Sequence, residues 1–191
     1  DIAENILTHM GPKVQAYLIE RLIVEEEKEK RFLLIELIPS SESTIKKAEE
    51  LLQDNPPWYV VRNLILIVSR HGGEKPYQLI RPFVAHPDMR VQQQVVSGIW
   101  KIGGENLYER LFSALAEISD ELKISLIAQL GQSGENGRIS RGLLKALQTR
   151  ENFSRLARED ILIALVQNLG KFPSVQVLQE FDKLLSEVEE W

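Results

Sequence analysis

The stretch HPDMRVQQQVVSGIWKIGG, residues 86–104, decides the fold because the sequence contains it twice. Residues 55–73, NPPWYVVRNLILIVSRHGG, align with it at a constant offset of 31. In both copies apolar residues recur at i, i+4, i+5 and i+8, which is the pattern of a helical face and not the alternation of a strand. Each copy opens on a proline turn and closes on a pair of glycines, as helices tend to do. The sequence therefore predicts one helical unit repeated in tandem.

Weaker copies of this helix flank the two strong ones. They lie at 30–41, at 121–134 with Ile124, Ile127 and Leu130 on the apolar stripe, and at 158–173 with Ile163, Val166 and Leu169. Companion helices are predicted between them and at the ends: a short one before Gly11, then 12–23, 44–53, 77–85, 107–118, 139–148 and 175–188. The result is an all-α chain of about five helical hairpins without a sheet. The strongest repeats span 44–73 and 75–104.

The quoted stretch resembles the second half of a HEAT repeat. In its short bacterial form that half runs Asp-Pro-x-Val-Arg into an Ala/Val-rich helix that ends Leu-Gly-x-Ile-Gly. The resemblance is close over 55–104, weaker to 170, and limited to the helical pattern over 1–43. Gln92, Gln93 and Trp100 depart from it, since the family commonly has arginines and a small residue there. The resemblance implies one HEAT-like domain over 1–191, a right-handed α–α superhelix or solenoid. Second helices would line its concave face, which in this family usually binds other macromolecules.

The tripeptide His86-Pro87-Asp88 matches the HPD motif of J-domains, but its position in the repeat explains it more simply. Its repeat equivalent is Asn55-Pro56-Pro57, so the sequence predicts a turn between two helices, with Asp88 as the N-cap of the second. The aromatic pair Trp58-Tyr59 follows the equivalent turn, and we expect it to pack against the preceding first helix.

Composition argues against several kinds of chemistry. The chain has no cysteine, which excludes disulfides, a thiolate nucleophile and cysteine-ligated zinc. Its three histidines, His9, His71 and His86, are scattered over different units. We therefore expect no enzyme, no metal and no cofactor. The longest apolar run, 64–68, is far shorter than the roughly 20 residues of a membrane span, so we expect a cytoplasmic protein. The chain begins with Asp1 rather than Met, and we expect it to be a piece of a longer protein.

Charge is distributed unevenly along the chain. The formal net charge is −5, but residues 57–112 carry 7 basic and 4 acidic side chains, a net charge of +3. An acidic chain is a poor general binder of nucleic acid, because that affinity depends on neutralising phosphates. A nucleic-acid module similar to the HEAT-like DNA alkylation-repeat proteins remains the alternative, and a relative of the HEAT-like bilin lyases is a third possibility.

The candidate site lies on the second helices. Trp100 falls outside the apolar stripe of its own helix, so it is predicted to face the groove as an anchor for a partner. The alternative is that it packs over Ser69 or Ala128 of a neighbouring second helix. Polar and basic residues outside the stripes are predicted to surround it: Arg62, Arg70, Gln93, Gln94, Lys101 and Gln129. The sequence thus predicts a scaffold that binds a protein or an acidic peptide on its concave face.

Overall fold

All regular secondary structure in the described residues is helical. The computed structural model describes residues 11–134 and 136–189, and no strand occurs among them. The α-helices are α1 Pro12–Val24, α2 Lys28–Leu37, α3 Glu42–Gln53, α4 Trp58–Val68, α5 Glu74–Ile80, α6 Met89–Ile102, α7 Leu107–Leu115, α8 Asp120–Leu130, α9 Asn136–Gln148, α10 Arg158–Leu169 and α11 Val175–Glu189. Short 3₁₀ turns cover Arg81–Phe83 and Arg150–Asn152. The predicted all-α class is confirmed, whereas the short helix predicted before Gly11 lies outside the described residues.

The chain divides into two compact units, unit 1 through Leu107 and unit 2 from Tyr108 onwards. In unit 1, α1 packs on α2 and α3, α3 on α4, α4 on α5 and α6, and α5 on α6. In unit 2, α10 packs on α8 and α9, and α9 also packs on α11. Most of these contacts join helices that are neighbours in the chain or are separated by one helix. The single repeat domain over 1–191 stays a prediction.

The repeated stripe forms the core of unit 1, as the sequence predicts. Val60 and its repeat equivalent Val91 are 2% and 0% exposed, and Leu64 and Val95 are fully buried. Complete burial of each such side chain contributes about 1.5–3 kcal/mol to folding. Gly98 allows α4 and α6 to approach closely, since the side chain of Ser69 occupies the space that a Cβ atom there would need.

Side-chain caps set several helix starts. The Asp88 carboxylate accepts a hydrogen bond from the Arg90 amide at 2.9 Å, which confirms it as the N-cap of α6. The Ser174 hydroxyl accepts one from the Val177 amide at 3.2 Å at the start of α11. Gly103 ends α6 with a φ of 64°, a left-handed backbone conformation that residues other than glycine rarely adopt. These local signals are the ones that the sequence shows directly.

Three details of the predicted helices are wrong. The helix predicted over 77–85 begins earlier and gives way to a 3₁₀ turn at Arg81, because Pro82 has no amide hydrogen to donate to the helix. α4 ends at Val68, before the glycine pair. On α10, Ile163 is 48% exposed and Ile161 is buried in its place, so the buried stripe is rotated from the predicted one.

No helix within the described ranges is long and apolar enough to cross a membrane.

Candidate functional site

A groove of about 680 Å³ lies between α7 and α9 in unit 2. It is lined from α7 and the residue after it by Tyr108, Glu109, Phe112, Ser113, Leu115 and Ala116, and from α9 and the residue after it by Arg138, Arg141, Gly142, Lys145, Ala146 and Thr149. Lys123, Asn152 and Phe153 complete the lining. The volume falls in the range of clefts that bind small ligands in other proteins.

The floor of the groove is apolar and depends on a glycine. The ring of Phe112 lies against Gly142, in the space where a side chain on α9 would begin. Leu115 and Phe153 also line the groove and are buried, at 3% and 9% exposure. The Phe112 ring itself is only half-buried, so it presents apolar surface to the groove.

One wall of the groove is basic. Arg138, Arg141 and Lys145 follow each other on α9 at i, i+3 and i+7, a spacing that places them along one face of the helix. All three are exposed. The Nε atom of Arg141 donates a hydrogen bond to the Gly137 carbonyl at 3.1 Å, which holds the start of that side chain along the helix. The α9 sequence contains three basic residues and no acidic residue, so the helix itself has a positive net charge.

The opposite wall is nearly neutral. Glu109 is the acidic lining residue on α7, and its neighbours along the groove are aromatic, hydroxyl-bearing or small. The groove is therefore polarised across its width, with cations along α9 and a single carboxylate on α7.

The lining residue Lys123 is buried and forms an ion pair within the fold. The Lys123 Nζ atom donates to the Asp120 carboxylate at 2.7 Å and lies 5.8 Å from the centroid of the Phe153 ring. Asp120 also accepts a hydrogen bond from the Ser154 hydroxyl at 2.5 Å. These two donors, Lys123 foremost, lower the pKa of the Asp120 carboxyl against the opposing effect of desolvation. The charge of Lys123 is thus paired with a carboxylate within the fold.

The seven residues predicted as the site do not lie in this groove. Arg62 lies on α4, while Gln93, Gln94, Trp100 and Lys101 lie on α6, and these two helices pack together in unit 1. Arg62, Gln93 and Lys101 are exposed, whereas Gln94 is half-buried. Gln129 belongs to α8 in unit 2, where its amide nitrogen donates to the Ser125 hydroxyl at 3.2 Å.

Arg70 and Trp100 differ from their predicted roles. Arg70 lies beyond the end of α4, and its Nη1 atom donates a hydrogen bond to the Ile35 carbonyl of α2. It therefore ties two helices together and does not continue the helix face of Arg62. Trp100 is half-buried, and its indole nitrogen is shielded from solvent. It is thus not the solvent-facing side chain that the sequence predicts.

The Trp58 ring contacts an arginine at the start of α6. The guanidinium of Arg90 stacks on the ring, with the Arg90 Cζ atom 3.4 Å from the ring centroid. The contact that the sequence predicts, with the preceding first helix, stays a prediction.

The sequence contained a signal for the basic wall. Arg138, Arg141 and Lys145 stand at helical spacing in a 13-residue helix that lacks acidic residues, within a chain of net charge −5. The position of Phe112 against Gly142 had no such signal, because it requires α7 and α9 to be neighbours.

Comparison with known proteins gives no match: no family model, no curated protein and no solved structure matches this chain.

Proposed function

We propose that this chain is a non-enzymatic interaction module that binds an acidic protein segment in the groove between α7 and α9. One observation carries the proposal. Three exposed cations, Arg138, Arg141 and Lys145, line the same groove of about 680 Å³ as the half-buried ring of Phe112. Arginine and lysine recognise carboxylates through charge-assisted hydrogen bonds, and such bonds are stronger than those between neutral groups.

The helix pairing within each unit supports a HEAT-like solenoid as the framework of this module. Neighbouring helices pack together, and so do several pairs separated by one helix, as expected where hairpins stack on each other. First helices such as α7 and α9 would then form one face of the stack and second helices the other. On this proposal the groove lies between two first helices.

The surface formed by α4 and α6 is a second proposed contact area. Arg62, Gln93 and Lys101 are exposed there, beside the half-buried Trp100. We rank it below the groove because its exposed residues include fewer cations, Arg62 and Lys101, than the α9 wall.

The test is binding of a labelled acidic peptide, measured by fluorescence anisotropy at fixed ionic strength. The variant Arg141→Glu/Lys145→Glu reverses two charges of the basic wall. We expect it to weaken binding by at least about tenfold, since each lost charged hydrogen bond costs about 1.5–3 kcal/mol. The matched control is Arg155→Glu/Lys183→Glu, which makes the same change in net charge at exposed positions of unit 2 outside the groove.

Equal losses in the two double variants would contradict the groove as the site, because only overall charge would then matter. A single-stranded oligonucleotide serves as the competing ligand. If it binds more tightly than the peptide and its affinity falls steeply with salt, the site recognises phosphate backbones and the module is a nucleic-acid binder.

A further inference from the structure

The groove contains more apolar surface than a purely acidic ligand would cover. The Phe112 ring is half-buried against Gly142, and the apolar side chains of Leu115 and Phe153 line the same groove. Carboxylates held by the α9 wall would leave this floor in contact with water. Covering it requires an apolar group, since affinity at such a surface comes from removing it from water.

The two walls determine where each part of a ligand lies. Carboxylates are attracted to Arg138, Arg141 and Lys145 on α9 and repelled by Glu109 on α7. The three cations span seven residues of helix, which corresponds to about 10.5 Å of rise. A short acidic segment is long enough to reach all of them. The α7 side and the floor then remain for a side chain without charge.

We propose that the preferred ligand is an acidic segment with one bulky apolar side chain in its middle. That side chain packs on the Phe112 ring above Gly142, while carboxylates on either side of it pair with the α9 cations. This inference rests on the proposed function and specifies its ligand. Such a segment contacts both the cations of α9 and the apolar floor, whereas a purely acidic segment contacts only the cations.

Two labelled nonapeptides test the inference on the intact chain. Both carry six acidic residues, and they differ only at the central position, which is leucine in one and serine in the other. We expect the leucine peptide to bind about tenfold more tightly to the wild-type chain, because only leucine buries apolar surface on the floor. The preference for leucine is expected to shrink to less than about threefold in Phe112→Ala, which removes the ring that leucine covers.

The variants also separate this inference from the proposed function. Phe112→Leu keeps an apolar side chain on the floor, so it should retain most of the preference for the leucine peptide. This second variant keeps the inference testable if Phe112→Ala misfolds. Circular dichroism melting curves establish that each variant is folded. If both peptides bind equally and both lose affinity in Arg141→Glu, the apolar anchor is wrong while the acidic groove stands. If neither peptide binds the folded wild-type chain, the proposed function itself fails.

Discussion

The aromatic ring of Phe112 on α7 lies directly over Gly142 on α9, in the place where any side chain at position 142 would begin. Glycine in the middle of a helix costs about 1 kcal/mol relative to alanine. The close approach of the ring explains why glycine is accommodated here in spite of that cost. The same contact forms the floor of the groove, so it links the packing of unit 2 to the candidate site.

Gly142→Ala is expected to destabilise the wild-type chain, by about 1–2 kcal/mol, because overpacking against Phe112 outweighs the gain in helix propensity. In a Phe112→Ala background the same substitution should stabilise the chain by about 0.5–1 kcal/mol, since only the propensity gain remains. Urea denaturation of the four chains gives both values as a double-mutant cycle. A stabilising effect in both backgrounds would show that the ring does not occupy this space.

Asp120 gives the stability of unit 2 a defined pH dependence. Its carboxyl has a pKa below the ordinary value because it accepts hydrogen bonds from Lys123 and Ser154. A depressed folded pKa contributes stability that is fully present above the unfolded pKa of about 3.9 and is lost as the pH falls through the lower folded value. Asp120→Asn should therefore cost about 1–2 kcal/mol at pH 7 and progressively less below pH 4.

The measurement for Asp120 is the free energy of unfolding at intervals from pH 7 to pH 2, for wild type and variant. Asp182→Asn is the matched control, because Asp182 is an exposed carboxylate on α11. We expect the control to follow the wild type within about 0.5 kcal/mol throughout. A constant difference between Asp120→Asn and wild type across the whole pH range would refute the linkage.

Features encoded within a few residues of sequence were predicted well. The core stripe of α6 follows from the spacing of Val91 and Val95, and the start of α6 follows from Asp88, whose carboxylate accepts a hydrogen bond from an amide two residues away. The interruption of the helix predicted over 77–85 was missed, although Pro82 lacks the amide hydrogen that a continuous helix needs.

Features that depend on neighbours distant in the chain could not be predicted in the same way. Trp58 stacks with Arg90, which lies 32 positions further along, and Arg70 reaches back to the Ile35 carbonyl. Phe112 and Gly142 are similarly far apart in sequence. Periodicity determines which face of a helix is apolar, but the partner on that face depends on how the helices pack. The predicted site therefore fell on the predicted second helices, while the groove with the basic wall lies between α7 and α9.

Arg150 and Glu180 form an ion pair in unit 2 that is largely withdrawn from water. Their side chains are 14% and 9% exposed, and Arg150 Nη1 lies 3.0 Å from Glu180 Oε1. Removing the carboxylate leaves the buried guanidinium of Arg150 without its paired negative charge, so Glu180→Ala is expected to cost about 3 kcal/mol in urea denaturation. Lys30→Ala breaks the pair with Glu27, in which both side chains are more than half exposed, and should cost less than about 0.5 kcal/mol. Similar losses in the two variants would contradict the burial of the Arg150–Glu180 pair.

Glu109 is expected to limit the affinity of the groove for acidic ligands. It lies on the α7 wall, opposite the α9 cations, and would repel a bound carboxylate. Glu109→Gln keeps the shape of the side chain and removes its charge, so binding of an acidic peptide should strengthen by about two- to fivefold at low salt. Glu117→Gln, an exposed position just after α7 and outside the groove lining, controls for net charge. Unchanged affinity in Glu109→Gln would mean that the carboxylates of the bound ligand do not lie near Glu109.

The intermediate burial of Trp100 predicts an intermediate energetic cost. A fully buried tryptophan loses about 3–5 kcal/mol on truncation to alanine, and a fully exposed residue less than about 0.5 kcal/mol. Because Trp100 is half-buried and its indole nitrogen is shielded from solvent, we expect Trp100→Ala to cost about 1–3 kcal/mol. Its two neighbours on α6 provide the scale: Ile99→Ala, at a fully buried position, should cost about 2–5 kcal/mol, and Lys101→Ala, at an exposed one, less than about 0.5 kcal/mol. A Trp100→Ala loss as small as that of Lys101→Ala would restore the predicted solvent-facing anchor, because only an exposed indole can be removed at so little cost.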